Sequence, residues 1–253
     1  MEMRGTKRII AEKWNKWAKF YDTQYAHGLK SEEEKNAWQT ALKEITGDGK
    51  SLRVLDVGTG TGFIALLLAE MGHQCWGVDI SEEMLRLARA KAVSTALSVE
   101  FLQGDAESLP FSSDTFDLVI NRHLLWTLPQ PEKAIREWLR VLRQGGKIAI
   151  INGVWTTPSL WGRCKSWLGN VLVAVQERRN PWAEDYEREL RKQLPLYRHV
   201  LPSDIVTVMK NSGLQRITLV DMRSVEKAEK RIMPLRYRLA YSHLRWLAVG
   251  EKT

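Results

Sequence analysis

The chain has 253 residues, enough for one sizeable α/β domain and short for two independent ones. Hydrophobic content of 44% and charged content of 27% are ordinary for a globular protein, and the two cysteines, Cys75 and Cys164, form neither a CxxC pair nor a Cys/His cluster, which excludes a disulfide framework and a structural zinc site. The N-terminus has no apolar segment of signal-peptide length and the most apolar later stretch, 167–175, is too short to span a bilayer, so a soluble, cytoplasmic protein without a bound metal is expected.

The net charge of +8 is unevenly placed. Residues 1–150 hold 20 bases and 20 acids, whereas 151–253 hold 18 and 10. The excess reads either as attraction to an anionic partner or as a solvated surface. Acids at Glu184, Asp185, Glu187 and Glu189 interrupt the bases, and no aromatic-basic repeat of a nucleic-acid module is present.

In chain order, 6–46 reads as helix, with Trp14, Trp17, Ala18 and Tyr21 at helical spacing. Ser31 and Glu34 suggest a capping box for its second part, and Gly47-Asp48-Gly49 breaks it. From 52 to 152 short apolar runs at 52–57, 74–79, 98–103, 116–121 and 147–152 alternate with helical stretches at 62–71, 82–96 and 132–143. Strands with little alternation are those of a parallel sheet covered on both faces. Ser81 reads as the N-cap of the 82–96 helix, and Gly145-Gly146 as the end of the 132–143 helix. Residues 153–213 break the rhythm with helical signals at 159–177, 182–194 and 203–211, and strands follow at 214–221 and 241–250.

The expected fold is therefore a Rossmann-like, doubly wound sheet of seven strands, mostly parallel, with N-terminal helices and a helical insertion before the sixth strand. One domain divides into a helical lid (1–50), a ligand-binding core (51–152), a helical cap over the mouth of the sheet (153–213) and the last two strands (214–253).

The strongest chemical signal is Val54-Leu55-Asp56-Val57-Gly58-Thr59-Gly60-Thr61-Gly62, a buried strand running into a glycine-rich turn and a helix. Glycine permits positive φ there and keeps side chains out of the way of a ligand. The spacing G-x-G-x-G differs from the G-x-G-x-x-G of dinucleotide folds. Asp79 closes the second strand 21 residues after Gly58, where an acid can bind two ribose hydroxyls; the alternative, an N-cap, is already supplied by Ser81. Gly104-Asp105-Ala106 follows the third strand, and Asp105 there is either an adenine contact or a turn former.

These stretches resemble the class I S-adenosylmethionine-dependent methyltransferases, and most nearly the small-molecule branch typified by ubiquinone and menaquinone biosynthesis enzymes. Gly77-Val78-Asp79-Ile80-Ser81 with Met84-Leu85, Phe116-Asp117-Leu118-Val119 and Arg140-Val141-Leu142-Arg143-Gln144-Gly145-Gly146 continue the resemblance, which runs from about Trp14 to Asn152. Gln144 departs from a position where the family often has proline. The resemblance implies an antiparallel last strand and S-adenosylmethionine as cofactor, with S-adenosylhomocysteine as product. It implies that Asp56, Gly58, Thr59, Gly60 and Gly62 form the cofactor turn and that Asp79 holds the ribose. Ile80 and Met84 would pack on the adenine, Asp105 and Ala106 would border its edge, Asn121 would lie by the methionine moiety, and Tyr21 would close over the cofactor from the N-terminal helix.

The expected reaction is in-line SN2 transfer of a methyl group to a small-molecule acceptor, which needs alignment above all. His123, after the fourth strand, is the candidate general base, or else a structural histidine. Arg122, Trp126 and Trp155 are substrate-side candidates, each with a bland alternative in the solvent or the core. The tryptophans of 155–182 either line an acceptor pocket or pack a cap. An RNA or protein methyltransferase using the basic C-terminal part is the alternative function; neither an Asn-Pro-Pro-Tyr-type motif nor an RNA-binding module supports it, and nucleic acid is not the expected partner. A nicotinamide oxidoreductase and a non-catalytic binder are more distant alternatives. The oligomeric state is not written in the sequence.

Overall fold

The computed structural model describes residues 2–23, 27–153, 159–178, 180–182, 186–197, 201–241 and 244–253. Trp155, Glu184, Asp185, His199 and His243 lie outside the described residues.

Two helices open the chain, α1 (Glu2–Tyr21) and α2 (Glu32–Thr46). The Ser31 hydroxyl accepts from the Glu34 N–H at 3.1 Å, but the Glu34 carboxylate reaches the N–H of Lys30, one residue short of a reciprocal box. The alternating core follows: β1 (Arg53–Val57), α3 (Phe63–Glu70), β2 (Gln74–Asp79), α4 (Glu82–Ser94), β3 (Val99–Gln103), β4 (Phe116–Arg122), α5 (Pro131–Val141) and β5 (Leu142–Gly153). Then come α6 (Leu160–Glu177), α7 (Arg188–Arg191), α8 (Pro202–Asn211), β6 (Gln215–Val220), α9 (Arg223–Ile232), α10 (Leu235–Ala240) and β7 (Arg245–Glu251).

The seven strands form one sheet in the order β3-β2-β1-β4-β5-β7-β6. β1 to β5 pair in parallel, and β7 runs antiparallel to both β5 and β6. The order reverses between β1 and β4, so a crevice opens at the carboxyl ends of those two strands. One face of the sheet is covered by α5 and α8 with Trp138 fully buried, the other by α2, α3, α4 and α9 with Trp38 fully buried. A third apolar cluster joins Ile10 and Trp14 of α1 to Tyr186, Leu190, Leu194 and Tyr197, so the insertion packs on the N-terminal helix.

Three details differ from the sequence reading, each for a local reason. Gly145-Gly146 does not end α5; the helix stops at Val141, and the pair sits inside β5 where the register with β4 shifts between Phe116 and Leu118. Of the described residues in the helix read at 182–194, only the four of α7 are helical. Two helices, α9 and α10, stand between the last strands where only connection was expected. The inner side of α9 carries Glu226 and Glu229 beside Val225 and Ala228, all buried, so charge occupies positions where an apolar period would have shown it. Among the described residues no helix is long and apolar enough to cross a membrane.

Candidate active site

At the crevice, β1 runs out into Gly58, Gly60 and Gly62, with φ of +68°, +56° and +83°. At Gly58 a Cβ would lie 2.7 Å from the Leu124 side chain, and at Gly62 it would press on Ala88 and Phe101 at 3.1 Å. Gly60 is different: its nearest neighbour would be the Tyr21 ring at 3.9 Å, which leaves a trough above the turn. Asp56 is buried beneath it, accepting from the Thr59 hydroxyl at 2.7 Å and the Ala65 N–H at 3.2 Å. Burial pushes its carboxyl up to about 7.

One cavity gathers most of the candidate residues. It holds about 720 Å³ of empty space, part of it open to solvent, and its lining includes Tyr21, Gly58, Gly60, Asp79, Ile80 and Met84. Asp105, Ala106, Arg122 and His123 line it too. Asp56, Thr59, Gly62, Asn121 and Trp126 do not belong to this lining. The first three shape the turn from behind, and Trp126 packs among Trp14, Tyr186 and Tyr197 at centroid distances of 5.8–6.3 Å. Asn121 is fully buried at the end of β4, and neither atom of its amide has a hydrogen-bond partner.

The acids at the cavity are already partly engaged. Asp79 accepts from the Gly60 N–H at 2.8 Å and the Ser81 N–H at 2.9 Å, and burial still raises its carboxyl. A carboxylate has about four lone-pair directions, so two remain for a ligand. Asp105 accepts from the Glu107 N–H at 2.9 Å and pairs with the Lys7 ammonium at 2.6 Å, which also holds the buried Glu107 at 2.6 Å. Burial works to lower the Lys7 pKa, but its bonds to the two carboxylates outweigh that and leave it raised.

α1 roofs the cavity and is tied down along one side. Besides Lys7, Asn15 Oδ1 accepts from the Ser81 hydroxyl at 2.7 Å and the Glu83 N–H at 3.2 Å. Asp22, just past the helix, accepts from the Thr61 hydroxyl at 2.7 Å and pairs with Lys91 at 2.6 Å. Ser81 meanwhile caps α4 through the Met84 N–H, as its sequence position suggests.

At the other end of the cavity the chain leaves β4 through His123, whose φ of +58° is uncommon for a residue with a side chain. Its Nδ1 lies 2.8 Å from Asn152 Oδ1, and its Nε2 lies 3.2 Å from an Arg245 guanidinium nitrogen. Arginine only donates, so Nε2 carries the lone pair and Nδ1 the hydrogen. Burial, together with Arg122, Arg245 and His27, pushes the imidazole well below its ordinary pKa. Arg245 is in turn held by the buried Glu229 at 2.9 Å. Arg122 stacks its guanidinium 4.1 Å over the Phe63 ring and 5.4 Å from that of Trp38.

Residues 55–150 match the methyltransferase-domain family. An uncharacterized Mycobacterium tuberculosis protein, Rv1405c, is 30% identical over 196 residues, covering 77% of this chain and 68% of that one. The chain belongs to the class I S-adenosylmethionine-dependent methyltransferases. The demethylmenaquinone methyltransferase of Thermus thermophilus is 36% identical to it over 116 residues, 45% of this chain and 53% of that one. In fold, it resembles the Haemonchus contortus phosphoethanolamine N-methyltransferase 2 solved with S-adenosyl-L-methionine, with a TM-score of 0.63 at 19% identity over 94% of this chain and 57% of that one.

The residues of this methyltransferase fit the family's cofactor. The trough over Gly60 is open where a side chain would fill it, the orphaned Asn121 amide stands near the end of β4, and Asp79 keeps acceptor capacity. Sequence reasoning missed Lys7, Glu107, Asn152, Arg245 and Glu229. Lys7 had a signal, since it stands seven residues before Trp14 and fourteen before Tyr21, on the same helix face. Arg245 and Glu229 had none, because the partner they serve lies more than 100 residues away along the chain.

Proposed function

We propose that this methyltransferase methylates a small-molecule acceptor bound at the Arg122–His123 end of the cavity, with S-adenosylmethionine held along Gly58, Gly60, Asp79 and Asp105. The observation that carries the reading is the single cavity shared by Asp79, the glycine turn and the strand-end residues Arg122 and His123. In this reading Asp79 takes the ribose hydroxyls, Ile80 and Met84 pack on the adenine, Asp105 and Ala106 border it, and Tyr21 covers the cofactor. Asp56, Thr59 and Gly62 hold the turn in shape, and the Asn121 amide finds its partners in the methionine part. The bound cofactor supplies an electrophilic methyl group on sulfur.

The protein's work is then to align the acceptor and exclude water, which contributes on the order of 7–11 kcal/mol to such reactions. The α1 residues Lys7, Ile10, Trp14 and Tyr21 over the cavity support an acceptor small enough to be enclosed, as does the similarity to a demethylmenaquinone methyltransferase. Neither ring nitrogen of His123 is open to take a proton, and its depressed pKa makes it a weak base. These features support an orienting role: His123 fixes the strand end, and Arg122 and Tyr21 shape the acceptor wall.

Calorimetric titration tests the assignment. Wild type binds S-adenosylhomocysteine saturably, and Asp79→Ala loses at least 100-fold in affinity, as expected for two hydrogen bonds to a carboxylate. Equal affinity in the variant sinks the cofactor model. For the orienting role, His123→Asn keeps a residue tolerant of positive φ and should retain turnover within tenfold; a thousandfold loss with binding intact restores a base.

A further inference from the structure

α6 has two unlike faces. The inner one is fixed against α10: a Cβ at Gly169 would lie 2.1 Å from the Ala240 nitrogen, Val173 is buried, and the Ser166 hydroxyl donates to the Ala240 carbonyl at 2.6 Å. Glu177, the only acid of the helix, turns to the same side, where it accepts from Arg236 at 2.8 Å and from the Tyr237 hydroxyl.

The outer face is apolar and bare. Leu160, Trp161, Trp167, Leu168 and Val175 are 78%, 70%, 62%, 47% and 72% exposed. At the helical repeat, positions 160, 164, 167, 168, 171 and 175 fall within an arc of roughly 100°, with Trp161 at its border. This stripe runs about 22 Å along the helix. Trp161 and Trp167 thus neither line the cavity nor pack inside a cap, the two alternatives open for the tryptophans of this region. Arg163 and Lys165 flank the stripe on opposite sides. Neither has an ion pair among the described residues, and the Lys165 ammonium sits 5.3 Å over the Trp161 ring.

We propose that the outer face of α6 lies on the surface of a bilayer containing anionic phospholipid. The apolar stripe enters the boundary between headgroups and acyl chains, with the Trp161 and Trp167 rings at headgroup level and Arg163 and Lys165 on the lipid phosphates. Tryptophan has an apolar body and one polar tip, which suits that depth. The helix is not apolar enough to cross, so it lies flat. Charge separates this occupant from a second copy of the chain. Two such faces brought together would oppose base to base with no outward acid to answer them, within a region whose whole excess is positive. A negatively charged surface answers both bases at once.

Flotation of the full chain with lipid vesicles tests the proposal. The expected result is recovery with equimolar phosphatidylglycerol and phosphatidylcholine vesicles, at least tenfold weaker recovery with phosphatidylcholine alone, and weakening at high salt. The double variant Trp161→Ser/Trp167→Ser, with its circular dichroism unchanged because both rings are exposed, loses at least tenfold. Arg163→Glu/Lys165→Glu abolishes the preference for the anionic lipid. No recovery with anionic vesicles overturns the proposal, as does equal recovery of the tryptophan variant. Light scattering without lipid gives the remaining arm: a monomer is expected, and a dimer dissolved by Trp161→Ser/Trp167→Ser assigns the face to a second copy and overturns the lipid reading.

Discussion

Residues 1–150 and 151–253 place their charged groups in different ways. In the first, bases and acids are equal in number, and those around the cavity hold fixed partners: Lys7 with Asp105 and Glu107, Asp22 with Lys91, Asp79 with two backbone N–H groups. In the second, bases outnumber acids by eight, and on α6 they stand apart from any counter-charge among the described residues. The first region serves a cofactor common to the whole family, and a constant ligand is best met by donors and acceptors held in place beforehand. In the second region the two bases of α6 are left without a counter-charge among the described residues, while Lys192, Arg216, Arg223 and Arg236 pair with neighbouring acids. One buried pair of the second region serves the cavity. Arg245 and Glu229 belong to the second region by sequence but are buried against His123.

That pair gives the sharpest way to break the comparison. Glu229→Ala takes from the buried Arg245 guanidinium the carboxylate it pairs with, close to Arg122, and should cost about 3–4 kcal/mol in urea unfolding. A loss comparable to that of an exposed pair would return Glu229 to the loose class. Lys7→Ala strips the buried Glu107 of its cation and should cost about 2 kcal/mol, less because Lys7 keeps some contact with water. It should also weaken S-adenosylhomocysteine binding several-fold, and unchanged stability would mean that α1 is not held by charge. A further effect concerns pH. Burial pushes His27 down to about 3 from an ordinary 6.5, so the unfolded chain takes up the proton first. Its contribution is fully present above pH 6.5 and is lost as pH falls toward 3. His27→Phe should therefore lessen the acid-side slope of unfolding free energy by about 1.4 kcal/mol per pH unit. Identical slopes in the two proteins would place His27 in contact with water.

Legibility in the sequence follows the same division. β2 is found at its observed limits and β1, β3 and β4 within a residue; for β1 and β4 the reason is that a parallel strand buried on both faces must be apolar along its length. The turn at Gly58, Gly60 and Gly62 is visible because all three adopt positive φ, which few other residues tolerate. α9 was hidden because two of its inward positions are glutamates. The contacts of His123 were hidden because Asn152 and Arg245 reach it from other strands, which pattern along the chain does not encode. Trp126 could be assigned neither to wall nor to core, since an aromatic side chain suits both, and only its ring contacts with Trp14, Tyr186 and Tyr197 decide for packing.

The ties of α1 at Lys7, Asn15 and Asp22 stand about two helical turns apart along one edge of the roof. A helix pinned so evenly does not peel from one end at little cost; freeing any single tie leaves the other two to draw it back. Movement of α1 as a whole therefore requires the three to let go together, one cooperative step instead of a gradual fraying.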